Sequence, residues 1–174
     1  MLSFPQMATK AQITAEQYLH MTFEYEAEYV RGEVVERSMP DRLHSKIQLR
    51  ILMAIVRLIE SYPLFPYPEL RLRLEAHVYR IPDVCVFAGE DPKPSVPSTP
   101  PLLAIEILSK DDRHYDLMEK LEEYRVWGVP NIWVVDPLSK RLSLYNESGL
   151  QNVSSLALAD YPFELTPGVL FSDL

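Results

Sequence analysis

The 174 residues hold one cysteine, Cys85. No disulfide framework and no cysteine-based zinc site can be written from it, and a reducing cytoplasm is the expected setting. Cys85 lies inside an apolar run, where a lone cysteine is a small hydrophobe before it is a nucleophile. The N-terminal MLSFPQMATKAQ lacks a basic-then-apolar leader pattern. No apolar stretch approaches the roughly 20 residues needed to span a bilayer, so a soluble protein without a membrane partner is expected. There is no internal repeat and no low-complexity tract. Positive charge is also scarce, with 17 Lys and Arg against 25 Asp and Glu and a net charge of -8. That balance disfavours indiscriminate attraction to nucleic-acid phosphates, whose affinity comes mainly from Lys and Arg. The charges segregate, however. Acids dominate Glu16 to Glu36 and Asp111 to Glu123, whereas Arg42, Lys46, Arg50 and Arg57 cluster between them, which leaves room for a local basic surface.

What is present is enough apolar material for one good core. At 47 % hydrophobic residues the chain reads as one domain over residues 1–174. Thr14-Ala15-Glu16-Gln17 forms a capping box that predicts a first helix ending before Tyr25. Ala27 to Val30 and Glu33 to Arg37 read as short strands joined at Arg31-Gly32. Asp41 caps a long helix predicted to run to about Tyr62, with Leu43, Ile47, Ile51, Ala54, Ile55, Leu58 and Ile59 at helical spacing. Arg42, Lys46, Arg50 and Arg57 fall on a separate stripe, and His44 points with the apolar face in the first turn. After a proline-rich loop, Tyr62 to Pro68, alternation in Leu70 to Glu75 gives a strand with one buried face. A second strand follows over Arg80 to Phe87.

Gly89 to Pro101 is crowded with proline and reads as an exposed loop. Leu102 to Leu108 is almost wholly apolar, as a central strand covered on both faces should be, except for Glu106. A helix from about Asp112 to Trp127 closes at Gly128, with Leu117, Leu121 and Tyr124 on its core side. Ile132 to Val135 and Leu142 to Tyr145 complete the sheet, and residues 151–174 carry too little periodicity to place. The order describes an α/β (α+β) protein with a mixed central sheet flanked by helices.

A carboxylate inside a buried strand is costly unless it is paired or binds metal. Glu106, in Ala104-Ile105-Glu106-Ile107-Leu108, is such a residue, and Asp83, between Pro82 and Val84-Cys85-Val86-Phe87, is another. Two acids in neighbouring apolar strands can share one hard cation through oxygen ligands, which offsets both burial and mutual repulsion. The plainer alternative is that each meets its own arginine or backbone amide.

Four segments taken together resemble the Uma2 family of the PD-(D/E)XK nuclease superfamily. They are Arg80-Ile81-Pro82-Asp83-Val84, Glu106-Ile107-Leu108-Ser109, Lys120 with Tyr124, and Gly128-Val129-Pro130-Asn131-Ile132-Trp133-Val134-Val135-Asp136-Pro137. The resemblance runs from the Gly32-Glu33 turn to about Tyr145 and implies a restriction endonuclease-like core. It also implies a divalent-metal-dependent DNA endonuclease with Asp83 and Glu106 holding Mg²⁺ or Mn²⁺, DNA as partner, and a homodimer. The superfamily usually places a lysine two residues after the second acid, where strand alternation aims both side chains at one face. Leu108 stands there, so the resemblance implies a migrated lysine, best matched by Lys120. The plainer alternative for Lys120 is a solvated pairing with Asp116 or Glu123. Glu33 matches a weaker family position as a further ligand or water-orienting group, against an ordinary exposed strand acid. His44 matches a histidine opening the long helix, against a core histidine bonded to a carbonyl. DNA would lie along Arg42, Lys46 and Arg50, with Arg71 and Arg73 beyond, against a solvated charged face.

Two rival functions remain at this stage. Leu108 supports a nuclease-fold domain that binds DNA or protein without turnover. A metal-dependent hydrolase acting on another phosphodiester or a small molecule is the other.

Overall fold

The computed structural model describes residues 12–110 and 112–174. Residues 1–11, which carry most of the segment read for a leader, and Asp111, at the edge of the second acidic run, lie outside the described residues.

The Thr14 capping box forms as expected. Its hydroxyl takes the Gln17 N–H and the Gln17 side chain takes the Thr14 N–H, opening the short helix α1 (Ala15–His20). Strands β1 (Ala27–Val30) and β2 (Glu33–Glu36) pair antiparallel. Arg31 and Gly32 turn the hairpin with φ of 49° and 97°, the two positive values a two-residue type I′ connection requires. Asp41 then accepts the Leu43 and His44 N–H groups and caps α2 (Arg42–Val56).

α2 stops six residues short of the predicted end. From Arg57 the chain coils through turns, with Leu58 N–H on Ile55 and Tyr62 N–H on Leu58, into Pro63, which disfavours helix in the residue before it. The proline-rich stretch read as a loop contains strand β3 (Leu64–Pro68). It forms one edge of the larger sheet. Pro66 and Pro68 are alternate residues, so both missing N–H groups fall on the side that needs no partner.

Strands β4 (Leu72–Glu75) and β5 (Val78–Arg80) join the first hairpin in a four-stranded sheet ordered β2-β1-β5-β4. The single strand predicted over Arg80 to Phe87 is split, because Ile81-Pro82-Asp83 carries the chain out of that sheet before β6 (Val84–Ala88) enters the next. Proline cannot donate to a ladder and favours such a break. The larger sheet is completed by β7 (Leu103–Ile107), β8 (Asn131–Asp136), β9 (Arg141–Asn146) and β10 (Gly149–Val153), ordered β10-β9-β8-β7-β6-β3. It is mixed: β7 and β8 run parallel, the other pairs antiparallel. The parallel pair is joined by α3 (His114–Trp127), which ends at Gly128 with φ 104°, the left-handed cap expected there.

Both faces of the larger sheet are covered. Leu103, Ile105 and Ile107 pack with Ile47, Ile51 and Ile55 of α2 on one side. Ala104 and Cys85 pack with Leu121 and Tyr124 of α3 on the other, together with Leu72 and Leu74 of the smaller sheet. The segment left unplaced from sequence finishes the first layer. Hairpin β11 (Leu156–Leu158) and β12 (Phe163–Leu165), with α4 (Pro167–Phe171), buries Leu156, Phe163, Leu165 and Leu170 there. Its apolar residues come from three short elements, none long enough to establish a period. No helix among the described residues is long and apolar enough to cross a membrane.

Candidate active site

Val84 stands opposite Ile105, and Cys85 opposite Ala104, in the antiparallel β6/β7 pair. Extending that register by one residue sets Asp83 opposite Glu106, and opposed residues of an antiparallel pair present their side chains to the same face. Asp83 is 3 % exposed and Glu106 7 %. Both line a cleft of about 380 Å³ with His44, Arg37, Glu28, Arg80 and Lys120. Leu108 lines it too, so the position where the superfamily usually has lysine does face the cleft.

Lys120 supplies an ammonium there. It is 8 % exposed, and its Nζ lies 2.9 Å from Glu106 Oε2, 2.8 Å from Glu28 Oε1 and 3.1 Å from the Ile81 carbonyl. It therefore departs from the solvated pairing with Asp116 or Glu123. Tyr124, one helical turn further along α3, donates its hydroxyl to Glu106 Oε1 at 2.9 Å. Arg80 bridges Glu28 Oε2 at 2.9 Å and Glu123 Oε2 at 2.6 Å, and Glu28 also accepts the Ile81 N–H at 2.8 Å.

Asp83 has different partners. Its Oδ1 takes Arg37 Nη2, and its Oδ2 takes the Ile107 N–H at 2.6 Å and lies 3.3 Å from His44 Nε2. His44 is thus aimed at the carboxylate rather than at a backbone carbonyl. Its Nδ1 is buried with no hydrogen-bond partner among the described residues.

The protonation states follow from these contacts. Burial presses Asp83 toward the neutral acid, but the His44 hydrogen bond and the Arg37 charge outweigh it and hold its pKa below the ordinary value. Glu28 is held low in the same way, burial being overcome by Lys120 and Arg80. Glu106 goes the other way, raised to about 7 by burial together with the charges of Asp83 and Glu28, against the opposing pull of Lys120. Burial lowers Lys120, but Glu106 and Glu28 more than restore it, so it stays protonated. His44 is likewise pulled down by burial and raised on balance by Asp83. Four acidic groups, Glu28, Asp83, Glu106 and Glu123, are thus tied to four permanent cations, Arg31, Arg37, Arg80 and Lys120.

The other sequence-selected residues lie elsewhere. Glu33 is exposed, paired with Val30 beside the hairpin turn, and does not line the cleft. Its neighbour in the same hairpin, Glu28, does. The α2 stripe is not brought to the cleft either. Arg50 Nη1 donates to the carbonyls of Leu170 and Ser172 at 2.7 and 2.6 Å, and Lys46 Nζ reaches that of Asp173 at 3.5 Å, so both tie down the C-terminal segment. Arg42 is exposed at the start of α2. Arg71 lies over the Tyr18 ring at 4.8 Å, and Arg73 is exposed on β4. Cys85 is buried, and burial alone pushes its thiol up to about 12, which removes it as a nucleophile.

Sequence reasoning missed Glu28 and Arg37, and quoted Arg80 and Tyr124 in the resembling segments without giving either a role in the site. Glu28 sits in an alternating stretch, Glu24-Tyr25-Glu26-Ala27-Glu28-Tyr29, where the acids look like a solvent face. No local signal marks it out, because the burial of Ala27 to Tyr29 appears only once the strand is covered on both sides.

No curated protein matches the chain. A crystal structure described as that of "a putative nuclease belonging to DUF820 from Anabaena variabilis" superposes with a TM-score of 0.81 at 22 % identity, covering 92 % of this chain and 98 % of that one. At that identity the likeness establishes the fold alone, a mixed sheet between helices. The Uma2 family model, described as "Putative restriction endonuclease", matches residues 15–167. With most of its length matched, and with Asp83, Glu106 and Lys120 gathered in one cleft, the chain belongs to the Uma2 family.

Proposed function

We propose that the cleft hydrolyses phosphodiester bonds of DNA with the help of one divalent cation, Mg²⁺ or Mn²⁺, held by Asp83 and Glu106. The observation that carries this reading is the pair of buried carboxylates facing one cleft, Asp83 one residue before β6 and Glu106 on the adjoining β7, with Lys120 on the second of them. The donor set is all carboxylate, the chemistry a hard cation prefers. Among the described residues no three His, Cys, Asp or Glu side chains converge as a ready-made metal cage. That suits Mg²⁺, which is commonly held by one or two carboxylates and completes its shell with water and substrate phosphate oxygens.

When bound, such a cation polarises a phosphate oxygen and lowers the pKa of a water that attacks phosphorus. Lys120 stays protonated and fixed between Glu28 and Glu106, where it stabilises negative charge developing on the phosphoryl oxygens. Tyr124 remains neutral, since burial and the nearby Glu106 charge hold its pKa well up, and it orients Glu106 by its hydrogen bond. His44 and the Ile107 N–H fix the rotamer of Asp83. The family resemblance adds a homodimer, in which two such clefts would serve two strands.

Plasmid nicking with and without Mg²⁺ or Mn²⁺ tests the reading. Wild type cleaves only with the cation, and Asp83→Ala abolishes cleavage while keeping the fold. Undiminished, cation-dependent cleavage by that variant removes Asp83 from the mechanism. A second reading, a nuclease-fold binding domain without turnover, is favoured by Leu108 and by the pairing of each acid with a cation of the chain. DNA binding without cation-dependent nicking would select it.

A further inference from the structure

The three permanent cations deep in the cleft are not equally fixed. Lys120 has two carboxylate partners and a carbonyl, and Arg80 has two carboxylates. Among the described residues Arg37 has one close partner, Asp83, with Glu69 at the longer distance of 3.7 Å. Its backbone is anchored, because its N–H donates to the Glu26 carbonyl at 3.1 Å and the hydroxyl of the next residue, Ser38, donates to Asp112 at 3.2 Å. Beyond that anchor, the side chain has fewer close ties among the described residues than Lys120 or Arg80. It occupies Asp83 Oδ1, the oxygen to which neither His44 nor the Ile107 N–H is bound.

A divalent cation on Asp83 and the Arg37 guanidinium therefore compete for the same oxygen, and like charges at that range repel strongly in a buried site. Resting on the reading of Asp83 and Glu106 as a cation site, we propose that Arg37 is a phosphate-binding residue held in reserve. It balances Asp83 when no metal is bound, leaves that carboxylate when a divalent cation takes it, and then grips a non-bridging oxygen of the substrate phosphodiester. The short swing keeps the guanidinium inside the cleft it already lines. A two-pronged guanidinium suits phosphate better than it suits one carboxylate oxygen. The swap also explains how a site can carry a cation partner for Asp83 and still belong to a metal-using enzyme.

Arg37→Gln tests it, because the amide still donates to Asp83 but carries no charge; Arg37→Lys is the charge-retaining control. The first measurement is Mn²⁺ binding by calorimetry without DNA. Arg37→Gln should bind Mn²⁺ on the order of tenfold more tightly than wild type, and Arg37→Lys should stay close to wild type. The second is DNA affinity across a salt series with Ca²⁺ as the cation. There Arg37→Gln should bind more weakly, and its plot of log affinity against log salt should be shallower by about one, the mark of a lost phosphate contact that a purely structural defect does not produce. Equal Mn²⁺ affinity in Arg37→Gln and wild type, or an unchanged salt slope, overturns the role of Arg37 and leaves the cation site standing. A lysine variant that behaves like the glutamine one overturns it as well. Absence of Mn²⁺ binding in all three proteins overturns the cation site, and the proposal with it.

Discussion

Asp83 and Glu106 stand opposite each other on one strand pair and are buried to nearly the same degree, yet their surroundings differ in kind. Glu106 is part of an alternating chain of charge, Glu106-Lys120-Glu28-Arg80-Glu123, in which each cation bridges two acids. Asp83 meets one arginine, one imidazole and one backbone N–H. The first arrangement is part of the packing between α3 and the two sheets, and its members are ion-paired to one another. The second is closed by a side chain that can leave. A single site can thus contain a structural half and an exchangeable half, and a count of ion pairs does not distinguish them.

The largest effect that sharpens this contrast is on turnover. Asp83→Ala and Glu106→Ala should each lower cation-dependent cleavage by about three orders of magnitude or more, measured by single-turnover nicking. Next comes stability. Lys120→Met leaves Glu28 and Glu106 buried with fewer partners, and should cost about 3–5 kcal/mol in urea unfolding. A loss under about 1 kcal/mol would show that the Glu106 half is not structural. Tyr124→Phe removes one hydrogen bond to a buried carboxylate and should cost about 1.5–3 kcal/mol, with the cleft still assembled. Smallest of all, Glu33→Ala should stay within about 0.5 kcal/mol of wild type and cleave normally, because the side chain is exposed beside the hairpin turn. A large loss of cleavage there would reinstate Glu33 as a site residue.

The same contrast explains what could be read from the sequence. Asp83 and Glu106 stood out because each interrupts an apolar strand, where a charge needs a reason to be. His44 could be placed on the apolar face by helical spacing, whereas Lys120 entered through the family resemblance, which usually has a lysine where Leu108 stands. Their partners were not legible. Arg37 and Arg80 sit at strand ends where a basic residue is ordinary, and Glu28 lies among alternating acids that mimic a solvated face. What makes them special is that the smaller sheet, on or beside whose strands they sit, packs against α3 and the larger sheet, a tertiary fact with no local period. The fold shows the same boundary. The long periodic elements were found, whereas β3 was hidden by its prolines and the C-terminal hairpin by its brevity. The Arg42, Lys46 and Arg50 stripe was visible as a stripe, but the use of Arg50 and Lys46 in tying down α4 and the residues after it depended on a segment the pattern could not place.

The most direct test of the account is a crystal soaked in Mn²⁺ and measured for anomalous scattering. The account predicts one peak in the cleft, within about 2.0–2.3 Å of an oxygen of both Asp83 and Glu106, with the Arg37 guanidinium turned away from Asp83. A cleft without a peak, in crystals where Asp83 keeps its arginine and Glu106 its lysine, would contradict it.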